Sequence, residues 1–178
     1  MFLSKISIGR NPPDEVNVLI ENPMGGVPVK YEIDKESGAM FVDRFLHTAM
    51  YYPGNYGFIP HTLSGDGDPV DVIVIGRTPV MPGAVMRCRP VGVLLMEDNA
   101  GVDEKIIAVP VQALHPYHDN IENYTDIRPI LRDQIEHFFS HYKDLEPGKW
   151  VKLKGWADAE TARAMIVEGI ERAKNIKK

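Results

Sequence analysis

Residues 70–76, VDVIVIG, form the stretch that decides the fold. In an extended strand the side chains alternate between two faces, so the valines face one side while Ile73 and Ile75 face the other. A strand that is apolar on both faces is typical of a closed barrel rather than of an exposed sheet. Asp71 shares the face of the two isoleucines, and we expect its carboxylate to point into the mouth of the barrel.

Similar apolar segments, many of them β-branched and separated by turn residues, occupy the rest of the first two thirds of the chain. They are VNVLIEN (16–22), VPVKYEID (27–34), MFVDRFL (40–46), MRCRPVGVLLM (86–96) and KIIAVPV (105–111). We predict each of them to be a strand.

The last third repeats apolar residues every three or four positions, which predicts two helices. The first follows a Thr125/Asp126 cap and the second begins after Asp158. Their apolar faces are predicted to be Ile127, Ile130, Leu131, Ile135, Phe138, Phe139 and Tyr142, and then Ala162, Met165, Ile166, Ile170 and Ala173. Strands followed by helices predict an α+β fold, with helices packed outside a small barrel. We predict a single domain over residues 1–178.

The chain has 178 residues and a net charge of −5. This acidic balance argues against nucleic acid or an acidic membrane as a partner. Cys88 is the only cysteine, which excludes an intrachain disulfide, and we predict an inert thiol. The sequence has no apolar run typical of a signal peptide or of a membrane span, so we expect a cytoplasmic protein.

Three carboxylates, Asp66, Asp68 and Asp71, lie in or next to the loop before the central strand. Held within about 6 Å, they would repel one another by roughly 3 kcal/mol per pair, so either the loop extends into water or a divalent cation neutralises it. Oxygen ligands favour Mg²⁺, Mn²⁺ or Ca²⁺ over Zn²⁺. The alternative is an acidic turn without metal. An EF-hand matches poorly, because its glycine and its last glutamate would be Asp71 and Arg77.

A second acidic loop spans residues 97–105, between two predicted strands. By itself it is typical of a solvated hairpin turn. Beside the first loop it offers Asp98 and Asp103 as further oxygen ligands, with Lys105 as a balancing cation. Two acidic loops at neighbouring strand ends favour a site for several metal ions.

Cations and phenols that could bind phosphate are scattered along the chain. Lys30 and Arg44 lie on predicted strands, Tyr56 lies in a loop rich in tyrosine, and Tyr142 and Lys143 end the first helix. Each position has a simpler interpretation. Lys30 and Arg44 could lie on solvated strand faces, Tyr56 could be a core aromatic, and a cation is favourable at a helix C-terminus in any case.

Together these residues resemble the family I soluble inorganic pyrophosphatases of bacterial type, over nearly the whole chain. The most specific element is DGDPVDV at 66–72. The other matching positions are Glu21, Lys30-Tyr31-Glu32, Arg44, the segment 52–58, Asp98, Asp103, Lys105 and the segment 141–146.

The resemblance implies a closed five-stranded, OB-like β-barrel with flanking C-terminal helices. It implies an inorganic pyrophosphatase that hydrolyses pyrophosphate to two phosphates with several Mg²⁺ ions per subunit, Mn²⁺ or Zn²⁺ being substitutes and Ca²⁺ an inhibitor. Pyrophosphate and phosphate are then the expected ligands, and the expected assembly is a homohexamer.

The resemblance also implies roles for the site residues. Metal would be bound by Asp66, Asp71 and Asp103, with Asp98, Glu32 and Glu21 serving further metal ions. Phosphate would be bound by Lys30, Arg44, Tyr56, Lys105, Tyr142 and Lys143, of which Lys30, Arg44 and Tyr56 also belong to the catalytic set. Asp68 would orient the attacking water and act as its base. No Cys or Ser nucleophile with a neighbouring base is evident in the sequence, which favours direct attack by water.

Two other functions fit part of the same residue pattern. A Mg²⁺-dependent phosphodiesterase or nuclease shares the two-metal chemistry, but the chain lacks a basic track. A calcium-binding module would bind Ca²⁺ without turnover.

His137 and His141 are four residues apart on one helix face without a third metal ligand, so we favour a role in subunit assembly over zinc binding.

Overall fold

The computed structural model describes residues 3–176, so four terminal residues of the predicted domain 1–178 lie outside the described residues. Within the described part the strands are β1 (Val16–Asn22), β2 (Val29–Ile33), β3 (Met40–Phe45), β4 (Asn55–Phe58), β5 (Asp71–Val74), β6 (Val85–Asp98), β7 (Gly101–Val102), β8 (Lys105–Pro110) and β9 (Val151–Ala157). The α-helices are α1 (Pro129–His141), which precedes β9, and α2 (Ala159–Ile176), which follows it.

Five strands close into a hydrogen-bonded ring. Strand β1 pairs with β4, β4 with β5, β5 with β8, β8 with β6, and β6 returns to β1. The β5–β8 pair is parallel, and the other four pairs are antiparallel. Strands β7 and β9 extend the sheet from β6, while β2 and β3 form a separate hairpin. The predicted α+β fold, with a five-stranded ring and C-terminal helices, is confirmed.

Strand β5 is buried on both faces, as the sequence predicts. Ile73 packs in a cluster that includes Ile135 and Phe139 of α1. Val72 and Val74 pack in a second cluster, which includes residues of α2. Each face of the central strand therefore contributes to a different part of the core, and each part is covered by a different helix.

Strands β4, β7 and β9 are missing from the sequence prediction. Strand β4 lies in a stretch rich in Gly and Tyr that is typical of a loop, but its glycine has a packing role. A Cβ atom on Gly57 would lie 1.9 Å from the carbonyl oxygen of Leu19 in β1, so only glycine allows the two backbones to approach this closely.

The predicted start of the first helix is wrong. Asn123 caps a short 3₁₀ turn, Tyr124–Asp126, and α1 begins only at Pro129, where the missing N–H of proline is tolerated. Ile130 also departs from the predicted apolar face, because it is 63% exposed. The start of α2 is confirmed, since Asp158 accepts a hydrogen bond from the backbone N–H of Thr161 at 2.8 Å.

Within residues 3–176 none of the helices is long and apolar enough to cross a membrane.

Candidate active site

A cavity of about 190 Å³ opens where the loop before β5, the β2–β3 hairpin, the start of β8 and the end of α1 meet. The cavity is lined by all thirteen residues that the sequence analysis assigns to the site: Glu21, Lys30, Glu32, Arg44, Tyr56, Asp66, Asp68, Asp71, Asp98, Asp103, Lys105, Tyr142 and Lys143. The fold thus gathers residues from both acidic loops and from the scattered basic positions at one place.

Lys105 lies at the centre of the acidic side. Its side chain is 2% exposed, and its Nζ atom donates hydrogen bonds to Asp71 Oδ2 at 2.6 Å and to Asp103 Oδ1. Burial alone would lower the pKa of Lys105, but the two facing carboxylates hold this pKa above its usual range. Lys105 therefore stays charged and neutralises part of the acidic cluster.

Burial disfavours the charged form of two other carboxylates in the cavity. Burial raises the pKa of Asp103, and the nearby Lys105 opposes this effect only in part. Burial likewise raises the pKa of Glu21 to about 7, although Glu21 Oε1 accepts a hydrogen bond from the backbone N–H of Ile33 at 2.8 Å. Both carboxylates would be stabilised in their charged form by a further cation.

The charge balance of the cavity leads to the same conclusion. Its walls carry seven carboxylates, from Glu21, Glu32, Asp66, Asp68, Asp71, Asp98 and Asp103, against five cationic side chains, from Lys30, Lys35, Arg44, Lys105 and Lys143. Because the pKa of Glu21 is raised to about 7, this carboxyl is only partly ionised near neutral pH, but six carboxylates outnumber the five cations without it. A phosphate ligand would add more negative charge. The cavity therefore needs added cations before it can bind a phosphate ligand well.

The side chains fit hard divalent cations in their chemistry. All the candidate ligands are carboxylate oxygens, which suit Mg²⁺ or Mn²⁺. Within residues 3–176 no group of three or more His, Cys, Asp or Glu side chains has the arrangement of a metal site. Ammonium groups balance the carboxylates instead, with Lys105 bridging Asp71 and Asp103.

The basic side of the cavity is held by ion pairs. Lys143 Nζ donates to Asp98 Oδ2 at 2.5 Å, and Lys30 Nζ lies 3.3 Å from Asp43 Oδ2. Burial would raise the pKa of Asp98, but hydrogen bonds from Lys143 and from the backbone outweigh it and hold this pKa below its usual range. Arg44 reaches the cavity from β3, where it lies opposite Lys30 of β2.

The loop before β5 separates its two aspartates from the buried Lys105. Asp68 is exposed, with 63% of its side chain accessible, and its Oδ1 atom accepts a hydrogen bond from Lys35 Nζ at 2.6 Å. The backbone N–H of Asp68 donates to Asp66 Oδ1 at 2.9 Å. Sequence reasoning missed Lys35, because a lysine in a polar turn carries no signal beyond solubility.

The tyrosines of the 52–58 segment have different environments. Tyr52 is buried and packs against Phe138 of α1, as expected of a core aromatic. Tyr56 is also buried but lines the cavity. Burial raises the pKa of Tyr56, and the charges of Asp71 and Asp103 raise it further, so its hydroxyl remains a hydrogen-bond donor.

Three residues discussed in the sequence analysis lie outside this cavity. Cys88 is buried, and burial raises the pKa of its thiol, in agreement with an inert residue. The rings of His137 and His141 lie 4.7 Å apart on α1, and His141 Nδ1 lies 2.7 Å from Asp144 Oδ2.

Comparisons with known proteins identify the family. The inorganic pyrophosphatase family model matches residues 18–174. An inorganic pyrophosphatase from Rhodospirillum rubrum is 66% identical over 170 residues, which cover 96% of this chain and 95% of that protein. One from Mesorhizobium japonicum is 61% identical over 174 residues, which cover 98% of each protein.

Solved structures agree with the sequence matches. An inorganic pyrophosphatase from Thermus thermophilus aligns with a TM-score of 0.92 at 42% identity, covering 98% of this chain and 99% of that one. An inorganic pyrophosphatase from Coxiella burnetii aligns with a TM-score of 0.91 at 50% identity, covering 94% of this chain and 99% of that one. The chain therefore belongs to the bacterial family I inorganic pyrophosphatases and is a hydrolase.

Proposed function

We propose that the chain hydrolyses inorganic pyrophosphate to two phosphates by direct attack of water and that this activity depends on Mg²⁺. The observation that carries the proposal is the charge balance of the cavity, in which seven carboxylates face five cationic side chains. A pyrophosphate anion would be repelled by this excess of negative charge unless divalent cations bound with it.

The metal ligands in this proposal come from both acidic loops and from β1 and β2. Asp66, Asp71 and Asp103 would hold the principal Mg²⁺ ions. Further ions would be held by Asp98, Glu32 and Glu21. When bound, Mg²⁺ supplies positive charge against the phosphate oxygens and acidifies water in the site. Mn²⁺ and Zn²⁺ are expected to substitute for Mg²⁺. Ca²⁺ is expected to inhibit, because its looser coordination geometry suits in-line attack poorly.

The phosphate ligands in this proposal are the cations and phenols that line the cavity. Lys30, Arg44 and Lys143 would bind phosphate oxygens through charge-assisted hydrogen bonds. Tyr56 and Tyr142 would donate from their hydroxyl groups. Lys105 is already paired with two carboxylates, so its ammonium becomes available to phosphate when metal ions neutralise those carboxylates instead.

Asp68 is proposed as the base that takes a proton from the attacking water. Its carboxylate lines the cavity, is accessible to water and is paired through Oδ1 with Lys35, which leaves Oδ2 to accept a hydrogen bond from a water in the cavity. The water oxygen then forms a bond to one phosphorus, the bond to the bridging oxygen breaks, and the second phosphate leaves with its charge stabilised by the neighbouring cations.

A panel of substrates tests the proposal. With Mg²⁺ present, we expect phosphate release from pyrophosphate and none from a dinucleotide or a nucleoside monophosphate. Equal or faster hydrolysis of the dinucleotide would favour a phosphodiesterase and contradict the proposal. Ca²⁺ binding without turnover of pyrophosphate under any metal would favour a calcium-binding module. A cytoplasmic location and a homohexamer stay predictions from the sequence.

A further inference from the structure

Glu146 is a buried carboxylate just outside the cavity, on the turn that follows α1. Its side chain is 8% exposed. Its Oε1 atom lies 3.2 Å from Arg44 Nε, and its Oε2 atom lies 2.7 Å from Lys149 Nζ. The carboxylate therefore faces two cations, of which Arg44 lines the cavity and Lys149 does not.

The turn that carries Glu146 contacts the strand that carries Arg44 and the segment that follows this strand. Within the turn, the backbone N–H of Glu146 donates to the carbonyl of Lys143 at 2.9 Å. His47, two residues beyond the end of β3, contacts the carbonyl oxygen of Leu145 through Nδ1 at 3.2 Å. The ion pair of Glu146 with Arg44 therefore joins the turn to β3 itself, and the His47 contact joins the turn to the segment that follows β3.

Burial and charge favour an ionised Glu146. Burial would raise its pKa, but the hydrogen bond from Lys149 and the charge of Arg44 outweigh burial and hold the pKa of Glu146 below its usual range. The contact with Arg44 is not aligned as a hydrogen bond, because Arg44 Nε and Glu146 Oε1 are both buried without a hydrogen-bond partner within the described residues.

We propose that Glu146 is a positioning residue that orients the guanidinium of Arg44 for binding pyrophosphate. The proposal rests on the proposed function, in which Arg44 binds a phosphate oxygen. An unrestrained arginine loses several rotamers when it binds, and a carboxylate against Nε removes much of that freedom beforehand. One terminal guanidinium nitrogen lies 3.7 Å from Asp43 Oδ2. With Nε facing Glu146, the other terminal nitrogen can donate to phosphate.

A double-mutant cycle tests the proposal. Glu146→Gln keeps the shape of the side chain and removes its charge, so we expect KM for pyrophosphate to rise about tenfold while kcat changes less than about threefold. In the Arg44→Met background the same substitution should leave KM unchanged, since the residue through which Glu146 acts is gone. A full tenfold rise in that background would overturn the proposal.

Lys149→Met is the matched control, because it removes the other partner of the same carboxylate and leaves the Arg44 contact. We expect its KM to stay within about twofold of the wild type. An equal rise in KM for Lys149→Met and Glu146→Gln would show that the turn is merely held together by these charges, and would contradict a positioning role.

Two further measurements keep the test decisive. If thermal unfolding shows that Glu146→Gln does not fold, the cycle is run with Glu146→Asp. This variant keeps the charge but has a side chain shorter by one methylene, so its carboxylate lies farther from Arg44. An unchanged KM for Glu146→Asp would then contradict the proposal. Calorimetry of inorganic phosphate binding in the presence of Mg²⁺ measures the coupling between Glu146 and Arg44 without any turnover. Wild-type protein that binds phosphate but does not hydrolyse pyrophosphate would count against the proposed function alone.

Discussion

At the scale of single residues, burial and pairing divide the aspartates around the loop before β5. The Asp71 side chain is 26% exposed and hydrogen-bonded by the buried Lys105. Asp68 is 63% exposed and pairs with Lys35, which is itself half-exposed. These environments fit the proposed roles, in which Asp71 binds metal beside a buried cation and Asp68 faces the attacking water.

The Asp68→Asn variant separates these roles. Because asparagine cannot accept the proton of the attacking water, we expect kcat to fall by about 10²–10⁴-fold. Binding of Mg²⁺, followed by calorimetry, should remain largely intact. The matched variant Asp71→Asn should instead weaken Mg²⁺ binding. Near-native turnover in Asp68→Asn would mean that this residue is not the base.

At the scale of elements, the two helices stabilise the site from opposite sides of β5. Ile135 and Phe139 of α1 pack in the cluster that contains Tyr56, which also lines the cavity. Helix α2 covers the other cluster, with Ala162 and Ile166 fully buried. Helix α1 is therefore coupled to the cavity directly, and α2 acts on it only through the strands.

Two isoleucines of α1 give a matched test of this packing. Ile135 has no exposed surface, so Ile135→Ala should lower the free energy of unfolding by about 2–5 kcal/mol through lost burial and a cavity. Ile130 is 63% exposed, and Ile130→Ala should change the free energy of unfolding by less than about 0.5 kcal/mol. Denaturant unfolding of both variants measures these values, and similar losses would contradict the assigned faces of α1.

The cap of α2 predicts a dependence of stability on pH. Hydrogen bonds from the backbone and hydroxyl of Thr161 lower the pKa of Asp158 in the folded chain. Because the pKa of Asp158 is lower in the folded chain than in the unfolded chain, its stabilising contribution is complete at pH values above the usual aspartate pKa. The contribution is lost as the pH falls through the pKa of Asp158 in the folded chain. Asp158→Ala should therefore lower the Tm by roughly 2–4 °C at pH 7, with the difference shrinking below about pH 4. A difference that is constant from pH 7 to pH 3 would contradict the cap.

At the scale of the whole molecule, the sequence predicted the closed ring and the helical end of the chain better than the separate strands. The apolar faces of β5 and α2 follow from local periodicity alone. Strand β4 could not be found in this way, because Gly57 has its meaning only beside the backbone of β1. In strand β9 burial alternates from Val151 to Lys154, but the alternation breaks at Gly155. The half-buried ring of Trp156 then packs over Tyr124.

The candidate site shows the same limit. Residues in DGDPVDV carry a recognisable motif, so Asp66, Asp68 and Asp71 are accessible to sequence reasoning. Lys35 and the pairing of Glu146 with Arg44 depend on contacts between residues 33 and 102 positions apart, and no local pattern marks them. Tertiary contact alone identifies such residues.

The predicted homohexamer gives a test that concerns the assembled molecule. His137 and His141 lie side by side on α1, and the hypothesis is that their protonation weakens the assembly. Sedimentation velocity between pH 8 and pH 5 should show dissociation at the acidic end. The variant carrying His137→Ala and His141→Ala should lose this pH dependence. No dissociation of the wild type, or equal dissociation of the variant, would exclude the hypothesis.

The central claim is that the acidic cavity turns over pyrophosphate only with added divalent cations. Its most direct test is the rate of phosphate release from pyrophosphate by the purified chain, measured with Mg²⁺, with a chelator, and with Mg²⁺ restored in excess. We predict rapid release with Mg²⁺, loss of release in the chelator and full recovery after restoration. Undiminished release in the chelator would contradict the claim.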